Sequence, residues 1–515
     1  MLLNKSIGRG VQRAVLILMV ALYPSVAFAH AKMIRSQPAA QATLQQAPRL
    51  VELWFNEELE QTFNTIVVMD ETGKRVDKNN VSVGDGGKKL QIDLEELKPG
   101  LYTVEWKALS ADQHTIKGNF TFTVESGGAA APEGIVRHSG PGEHAPQEVM
   151  PPVYASDTTG ALKEIKASWA FSIVRWLEYL SMMTLFGGFA YLLLVLKPSL
   201  TKMSGAGEKR TEALSESLRR FTLLSWISLT VLALTALVGL ALQASAVMDI
   251  TFVQSLKPSE LYKVLAMTSY GRAWLLEIAV IVALAIFLFI YTRRIRNKSG
   301  DSSALLWVGL AASAILFFVP SLTGHAAAAA NEYRFAVLTD WLHLVAGGLW
   351  LGGLIHLVLT MPRALSVFEG REGLRLLTNV IPCFTRYAII STLLIVLTGL
   401  YNTWMHVDSF SALWNTAYGR TLLLKVALFL PMLALGGINT FILKPRAARL
   451  LEKVERDSQL EHTGMDRSFR RSLTVEVALG LVVLLLAAVL AFLQPARSGH
   501  GLMSGRESSR LVAEP

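Results

Sequence analysis

Residues 341–353 read Trp-Leu-His-Leu-Val-Ala-Gly-Gly-Leu-Trp-Leu-Gly-Gly, and this stretch decides the fold of the larger part of the chain. It lies in an apolar run from 336 to 360 that is long enough to cross a lipid bilayer as a helix. Its paired glycines let a neighbouring helix approach closely. His343 is polar within an apolar span, which marks it as a functional candidate.

Eight apolar runs of this kind predict an all-α membrane bundle. A composition of 52% hydrophobic and 17% charged residues in 515 agrees with a polytopic membrane protein that carries a soluble part. The loops after the odd-numbered runs hold 22 Lys and Arg, and the alternate loops hold 5. By the positive-inside rule the basic loops are cytoplasmic, so both chain ends face outside. The runs are 169–195, 221–246, 273–291, 304–323, 336–360, 387–406, 421–443 and 472–493.

The membrane part also repeats itself. Trp176-Leu177 with the later Gly187-Gly188 matches Trp341-Leu342 with Gly352-Gly353 at an offset of 165 residues. Tyr-Gly-Arg stands before the third run, at 270–272, and before the seventh, at 418–420. The pattern predicts two four-helix halves of one orientation, related by an axis along the membrane normal.

The first 29 residues have the layout of a secretory signal peptide. Basic residues precede an apolar run, and the segment closes on Ala27-Phe28-Ala29. Cleavage there makes His30 the first residue of the mature chain. Its α-amine and its imidazole can then chelate one metal ion. An α-amine has a pKa of about 8, so a metal ion can displace its proton at neutral pH.

Residues 30–125 predict an all-β sandwich, because short strand-like segments alternate with turns. Residues 126–165 are rich in Gly, Pro and Ala and predict a flexible linker. The membrane domain follows at 166–495, and a polar C-terminal tail occupies 496–515.

Asp112-Gln113-His114 precedes the last predicted strand, and in extended chain its first and third side chains share a side. With His30 they offer two imidazoles, an amine and a carboxylate, a donor set that favours copper(II). Glu57 is a candidate supporting or axial group, and a solvated charge at the rim is the alternative reading.

Three histidines lie near the outer face of the predicted bundle: His325, His343 and His406. Together with Met405 they could form a metal relay. For His406 the alternative is a side chain that only reaches the membrane interface. His356 lies about 20 Å beyond His343 along the helix, so it is either a deeper station or a packed polar group.

Several classes of protein are excluded or disfavoured. The single Cys383 leaves no disulfide framework and no cysteine-rich metal site. No phosphate-binding loop and no nucleophile–base pair stands in the sequence, so we expect neither an ATP-driven pump nor an enzyme. The basic excess lies in membrane loops, which does not favour nucleic-acid binding.

These residues resemble two known families. The predicted β-domain is similar to the CopC family of secreted copper(II)-binding domains. The similarity lies in the terminal histidine, in Leu53–Glu57 and in the Asp-x-His segment. The helical part is similar to the CopD membrane family at Thr323–Ala326, at Leu342–Gly353 and at the two Tyr-Gly-Arg segments. The whole chain therefore resembles a CopC–CopD fusion of the YcnJ type. The resemblance implies a cupredoxin-like sandwich that holds copper(II) with His30, Asp112 and His114. Many relatives have Gly and Pro where this chain has Gln113 and Thr115.

The predicted function is capture of copper(II) outside the cell and its delivery to or across the plasma membrane, in copper import, homeostasis or resistance. The expected partners are the copper ion and the lipid bilayer, with a copper reductase or a secreted copper chaperone as further candidates. Two alternatives stay open. One is copper sequestration or sensing without transport, and the other is a haem-binding membrane redox protein.

Overall fold

The computed structural model describes residues 33–125, 158–203, 207–297, 303–328, 333–368, 370–456, 465–493 and 495–496. The predicted signal peptide, His30, most of the predicted linker and the C-terminal tail lie outside these residues. The first helix begins at Thr158, inside the segment predicted as linker. Described residues therefore form a β-domain and a helical domain.

The β-domain is the predicted sandwich of two four-stranded sheets. One sheet has the order β1-β3-β6-β5, and the other has the order β2-β8-β7-β4. The strands are β1 Met33–Gln37, β2 Thr43–Leu44, β3 Leu50–Phe55, β4 Thr65–Asp70, β5 Ser82–Gly84, β6 Lys89–Asp93, β7 Gly100–Leu109 and β8 Thr115–Val124.

Alternation of side chains explains the sandwich. Along β3, Val51, Leu53 and Phe55 are buried while the residues between them are partly exposed. This is the period of two that a half-buried strand requires. Phe55 meets Trp106 of the opposite sheet edge-on, with ring centroids 5.4 Å apart. The two longest strands, β7 and β8, pair antiparallel over ten residues each, and their connecting turn carries Asp112.

The helical domain contains all eight predicted spans. We number them span 1 to span 8: Trp169–Thr201, Gly207–Met248, Ser269–Ile295, Ser303–Thr323, Tyr333–Leu359, Gly370–His406, Ala417–Lys453 and Phe469–Leu490. Their α-helical segments are Thr158–Ala190, Lys197–Thr201, Gly207–Met248, Ser269–Arg296, Ser303–Ile315, Phe318–Thr323, Tyr333–Gly347, Gly353–Leu359, Gly370–His406, Ala417–Ile438, Lys444–Arg456 and Met465–Leu490. Short α-helices between spans are Phe252–Ser255, Pro258–Met267, Met361–Leu365 and Phe410–Asn415.

Spans 1 and 5 form the centre of the bundle. In span 1, 83% of the most apolar window is buried within the protein, against 17% in span 7. Gly187 and Gly352, which are counterparts in the predicted repeat, let the two backbones touch. Next to this contact both helices widen into π-helical turns, at Tyr191–Leu196 and Gly348–Gly352. The tightest helix contact therefore joins corresponding points of the two halves.

Replacing Gly352 with Ala tests this contact. A methyl group there would overlap the carbonyl oxygen of Met183, and overpacking of this kind costs about 1–3 kcal/mol. We expect a lower midpoint of thermal unfolding in detergent. Gly437→Ala is the matched control, because a methyl group at Gly437 meets nothing within 4 Å. Equal midpoints for the two variants would contradict the central packing.

Candidate metal centre

The turn between β7 and β8 presents Asp112 to the membrane domain. The backbone N–H of Gln113 donates to the carbonyl oxygen of Ser110 at 2.9 Å, and that of Ser110 donates to the carbonyl of His114 at 2.9 Å. Gln113 has a φ of +73°, so Asp112-Gln113-His114 is a tight turn. The expectation of extended chain at this point is wrong. The turn still brings Asp112 and His114 to one side, because the left-handed residue reverses the chain between them.

One oxygen of Asp112 is shared between the two domains. Its Oδ2 lies 3.2 Å from Nδ1 of His114 and 3.2 Å from Nδ1 of His325, which follows span 4. The other oxygen, Oδ1, accepts a hydrogen bond from Ser110 Oγ at 2.5 Å. The Asp112 side chain is only 3% exposed. A buried carboxylate of this kind requires charge or hydrogen-bond partners, and here they come from both domains.

The histidine rings of the two domains form a row. The ring centroids of His114 and His325 are 5.8 Å apart with the rings nearly parallel, and those of His325 and His406 are 5.9 Å apart. We call His114, His325 and His406 the imidazole row. Nδ1 of His406 lies 2.6 Å from the carbonyl oxygen of Asn402. Nε2 of His325 is buried and has no hydrogen-bond partner within the described residues.

Glu57 joins the same site from the end of β3. Its Oε2 accepts a hydrogen bond from Ser110 Oγ at 3.5 Å, so Ser110 bridges it to Asp112. Burial raises the pKa of Glu57 to about 7, and the charge of Asp112 acts in the same direction. Burial alone would also raise the pKa of Asp112, but the facing His114 and His325 hold it well below 3.8. Glu57 therefore changes charge near neutral pH while Asp112 stays ionised.

The donor types at this site suit copper(II), but their present separations are those of polar contacts and not of bonds to a metal. Separations of 3.2 Å exceed the length of about 2 Å for metal–nitrogen and metal–oxygen bonds. Within the described part of the chain, no three His, Cys, Asp or Glu side chains are grouped as a metal centre. His30, the predicted chelating residue, lies outside that part. An ion would have to enter between Asp112 and the imidazoles.

Docking of the β-domain depends on Gln113, whose role sequence reasoning missed. Its amide Nε2 donates to Glu60 Oε1 at 2.8 Å and to Ser269 Oγ, at the start of span 3, at 2.7 Å. Its carbonyl oxygen accepts from Gln243 Nε2 of span 2 at 3.0 Å. Further contacts between the domains include the pair Lys117–Asp249 and the hydrogen bond from Lys107 to the carbonyl of Val247. The resemblance, which leads one to expect Gly at position 113, was the one signal in the sequence.

A second group of polar residues lies deeper in spans 5 and 7. We call Asp340, His343 and Lys425 the second-half cluster. Asp340 accepts from Ser321 Oγ of span 4 at 2.7 Å and from Asn402 Nδ2 of span 6 at 3.4 Å. Nδ1 of His343 lies 2.8 Å from Thr398 Oγ1, and the charge of Lys425 acts on both Asp340 and His343.

The remaining predicted site residues are placed differently. Both nitrogens of His356 have partners, the carbonyl of Thr184 at 3.0 Å and Thr360 Oγ1 at 3.3 Å, and its ring stacks on Tyr191. That environment is typical of a packed polar group. Met405 is half-buried beside His406.

Asp340 and Lys425 were also missed as site residues. An ionisable residue inside a predicted span is a functional candidate by default, and this rule would have found both.

The comparisons agree with the two-domain architecture. Residues 33–125 match the CopC domain, 165–335 the copper resistance protein D-like N-terminal domain, and 378–490 copper resistance protein D. The copper transport protein CutJ of Bacillus subtilis (strain 168) is 28% identical over 484 residues, 92% of this chain and 76% of that protein.

Two shorter matches cover single parts of the chain. Copper resistance protein D of Pseudomonas syringae pv. tomato is 30% identical over 272 residues, 51% of this chain and 83% of that protein. The crystal structure of CopC from Methylosinus trichosporium is 30% identical, with a TM-score of 0.18, and covers 20% of this chain and all of that one.

Eight apolar spans and a docked β-sandwich define a multi-pass membrane protein of the copper resistance and transport class. The chain belongs to the CopC–CopD copper resistance family and carries both domains in one polypeptide.

Gln113→Gly separates backbone strain from docking. Glycine relieves the positive φ, worth about 1 kcal/mol, but it removes the side-chain hydrogen bonds to Glu60 and Ser269. We expect faster proteolysis in the 126–157 segment and weaker cross-linking between the domains, measured on the full chain in nanodiscs. Gln91→Gly, on the far sheet, is the control. Unchanged cross-linking in Gln113→Gly would contradict the docking role.

Glu57→Gln tests the carboxyl beside Asp112. Because the pKa of Glu57 is raised to about 7, the residue is neutral below that pH and negative above it. Copper affinity of the wild type should rise through pH 7, by about tenfold for roughly 1.4 kcal/mol of added attraction. The variant should lose this increment at high pH and match the wild type at low pH. Titration with copper(II) at several pH values measures both, and parallel pH profiles would rule the effect out.

Proposed function

We propose that the β-domain captures copper(II) on the outer side of the plasma membrane and passes it to the membrane domain for uptake into the cell. The ligands are the amine and imidazole of His30, with Asp112 and His114. The single observation that carries the proposal is the Asp112 oxygen that lies 3.2 Å from a histidine of each domain. A carboxylate shared in this way can stay bound to the ion while the other ligands of the ion are exchanged.

The imidazole row supplies the path of exchange. His325 is related to His114 and His406 by ring-centroid separations of 5.8 and 5.9 Å. An ion bound by Asp112 and His114 needs to move only a few ångströms to gain His325 and release His30. Each step replaces one nitrogen ligand by another, so the coordination number need not fall.

Beyond the row, the second-half cluster receives the ion. Asn402 connects the two, because its carbonyl oxygen contacts His406 and its amide contacts Asp340. Asp340 and His343 offer a carboxylate and an imidazole inside the bundle, where such groups mark ion pathways. The concentration of basic residues in alternate loops supports the proposed orientation, with the β-domain outside.

Copper capture without transport is the second candidate. One observation favours it: within the described spans, no three metal-ligating side chains are grouped as an ion site. Uptake into cells distinguishes the two candidates, whereas copper binding alone does not.

His325→Gln should lower the uptake of radioactive copper by cells, because it removes the membrane-domain ligand next to Asp112. We expect a loss of about tenfold or more if one ligand is worth roughly 1.4 kcal/mol. His138→Gln, in the predicted linker, is the matched control. Wild-type uptake in His325→Gln would contradict the role of His325, and equal uptake by cells that lack the protein would remove the transport claim and leave capture.

An extra residue inserted before His30 tests the chelating terminus. The added peptide bond turns the free amine into an amide, so His30 no longer offers a free amine and an imidazole in one chelate. We expect a large loss of copper(II) affinity in the full chain. Mass spectrometry of the mature protein establishes that each terminus is as intended. An unchanged affinity would show that the amine is not a ligand.

A further inference from the structure

Three charged side chains in the first half of the bundle have no part in the proposed copper path. Arg175 and Glu178 of span 1, with Glu277 of span 3, form what we call the first-half cluster. Nη1 of Arg175 lies 3.4 Å from Oε1 of Glu178. Glu277 is 4% exposed, and its Oε1 has no hydrogen-bond partner among the described residues. The charges of Arg175 and Glu178 both act on Glu277, so two carboxylates share one guanidinium.

Spans 2 and 4 supply no second cation. Span 2 has no Asp, Glu, Lys, Arg or His from Phe221 to Met248, and span 4 has none from Ser303 to Thr323. Span 8 brings Phe492 to Arg175, and its Glu476 lies 16 residues, about 24 Å, toward the other end. The other titratable groups whose charges act in the cluster are Tyr179, Tyr270 and Asp340.

The two halves of the bundle carry opposite charges at two of three corresponding positions. At the repeat offset of 165, Arg175 corresponds to Asp340 and Glu178 to His343. At the offset of 148 that relates the two Tyr-Gly-Arg segments, Glu277 corresponds to Lys425. Glu178 and Glu277 lie about 12–14 Å along the helix from the first residues of spans 1 and 3. The first-half cluster is thus the counterpart of the second-half cluster, with each charge changed.

Charge balance decides the state of the first-half cluster. An unpaired carboxylate in the low dielectric of a membrane bundle costs several kcal/mol, whereas a carboxylic acid costs far less. When like charges share a site, one of the two groups keeps its proton. One guanidinium balances one carboxylate, which leaves one proton for the pair.

We propose that Glu178 and Glu277 hold one exchangeable proton between them, and that metal arriving at the second-half cluster expels it. The link runs through Arg175, whose charge acts on Asp340 as well as on both glutamates. A cation beside Asp340 neutralises that carboxylate. The positive charge of Arg175 is then balanced only by the glutamates, so it stabilises their ionised form more strongly. This link rests on the proposed function, because it requires copper to reach Asp340.

Infrared spectroscopy tests the proton site without copper. The difference spectrum of the full chain in nanodiscs, wild type minus Glu277→Gln, should show a carboxylic-acid C=O band above pH 8, where Glu57 is largely ionised. Glu260→Gln is the matched control, because Glu260 is an ionised glutamate paired with Lys263 on the outer loop. Absence of this difference band for both Glu277→Gln and Glu178→Gln overturns the proton site.

Proton release on addition of copper(II) tests the link. Calorimetry in buffers of different ionisation enthalpy counts the protons released for each copper bound. The wild type and Glu260→Gln should release one proton more for each copper than Glu277→Gln, because copper binding at the β-domain is common to all three. Equal release, together with normal copper uptake into proteoliposomes, overturns the link.

Failure of the proposed function gives a different result. If wild-type proteoliposomes take up no copper, transport is wrong, and equal proton release is then expected for that reason. The infrared band still decides the proton site on its own. The two failures are therefore distinguishable.

Discussion

The carboxylate of Asp112 is the interaction on which the arrangement of the whole protein depends. A buried anion must be matched by partners, and those of Asp112 come from His114 in its own domain and from His325 in the other. The β-domain therefore cannot separate from the bundle without exposing or stranding this charge. In the proposed function, docking and metal capture would depend on the same oxygen atom, Oδ2 of Asp112.

The membrane imposes the second constraint. Backbone polar groups inside a bilayer must be satisfied within helices, so the apolar runs can form only a helical bundle. Close packing of such helices depends on small residues, and Gly187 and Gly352 meet at the centre. Ionisable side chains in this interior include two clusters at similar depth, one in each half. Arg175 and Glu277 of the first half correspond to Asp340 and Lys425 of the second, so the sign of the charge is exchanged at these two positions.

Much of the architecture follows from the sequence. Hydropathy and length predicted all eight spans, and alternation predicted the β-sandwich, because both patterns arise from burial. Residue type and spacing identified Asp112 and His114 as candidates. The sequence could not predict that they lie close to His325, because that depends on how the two domains dock. Gln113 was visible only as a departure from the glycine of relatives, and its hydrogen bonds to spans 2 and 3 require the fold.

Electron paramagnetic resonance of copper(II) bound to the full chain tests the shared site most directly. Pulsed spectra count the imidazole nitrogens coupled to the ion. The account predicts that the wild type couples to one more imidazole than His325→Ala does, because His325 of the membrane domain and His114 of the β-domain then bind the same ion. Identical nitrogen counts in the two proteins would contradict the account, since copper would be held by the β-domain alone.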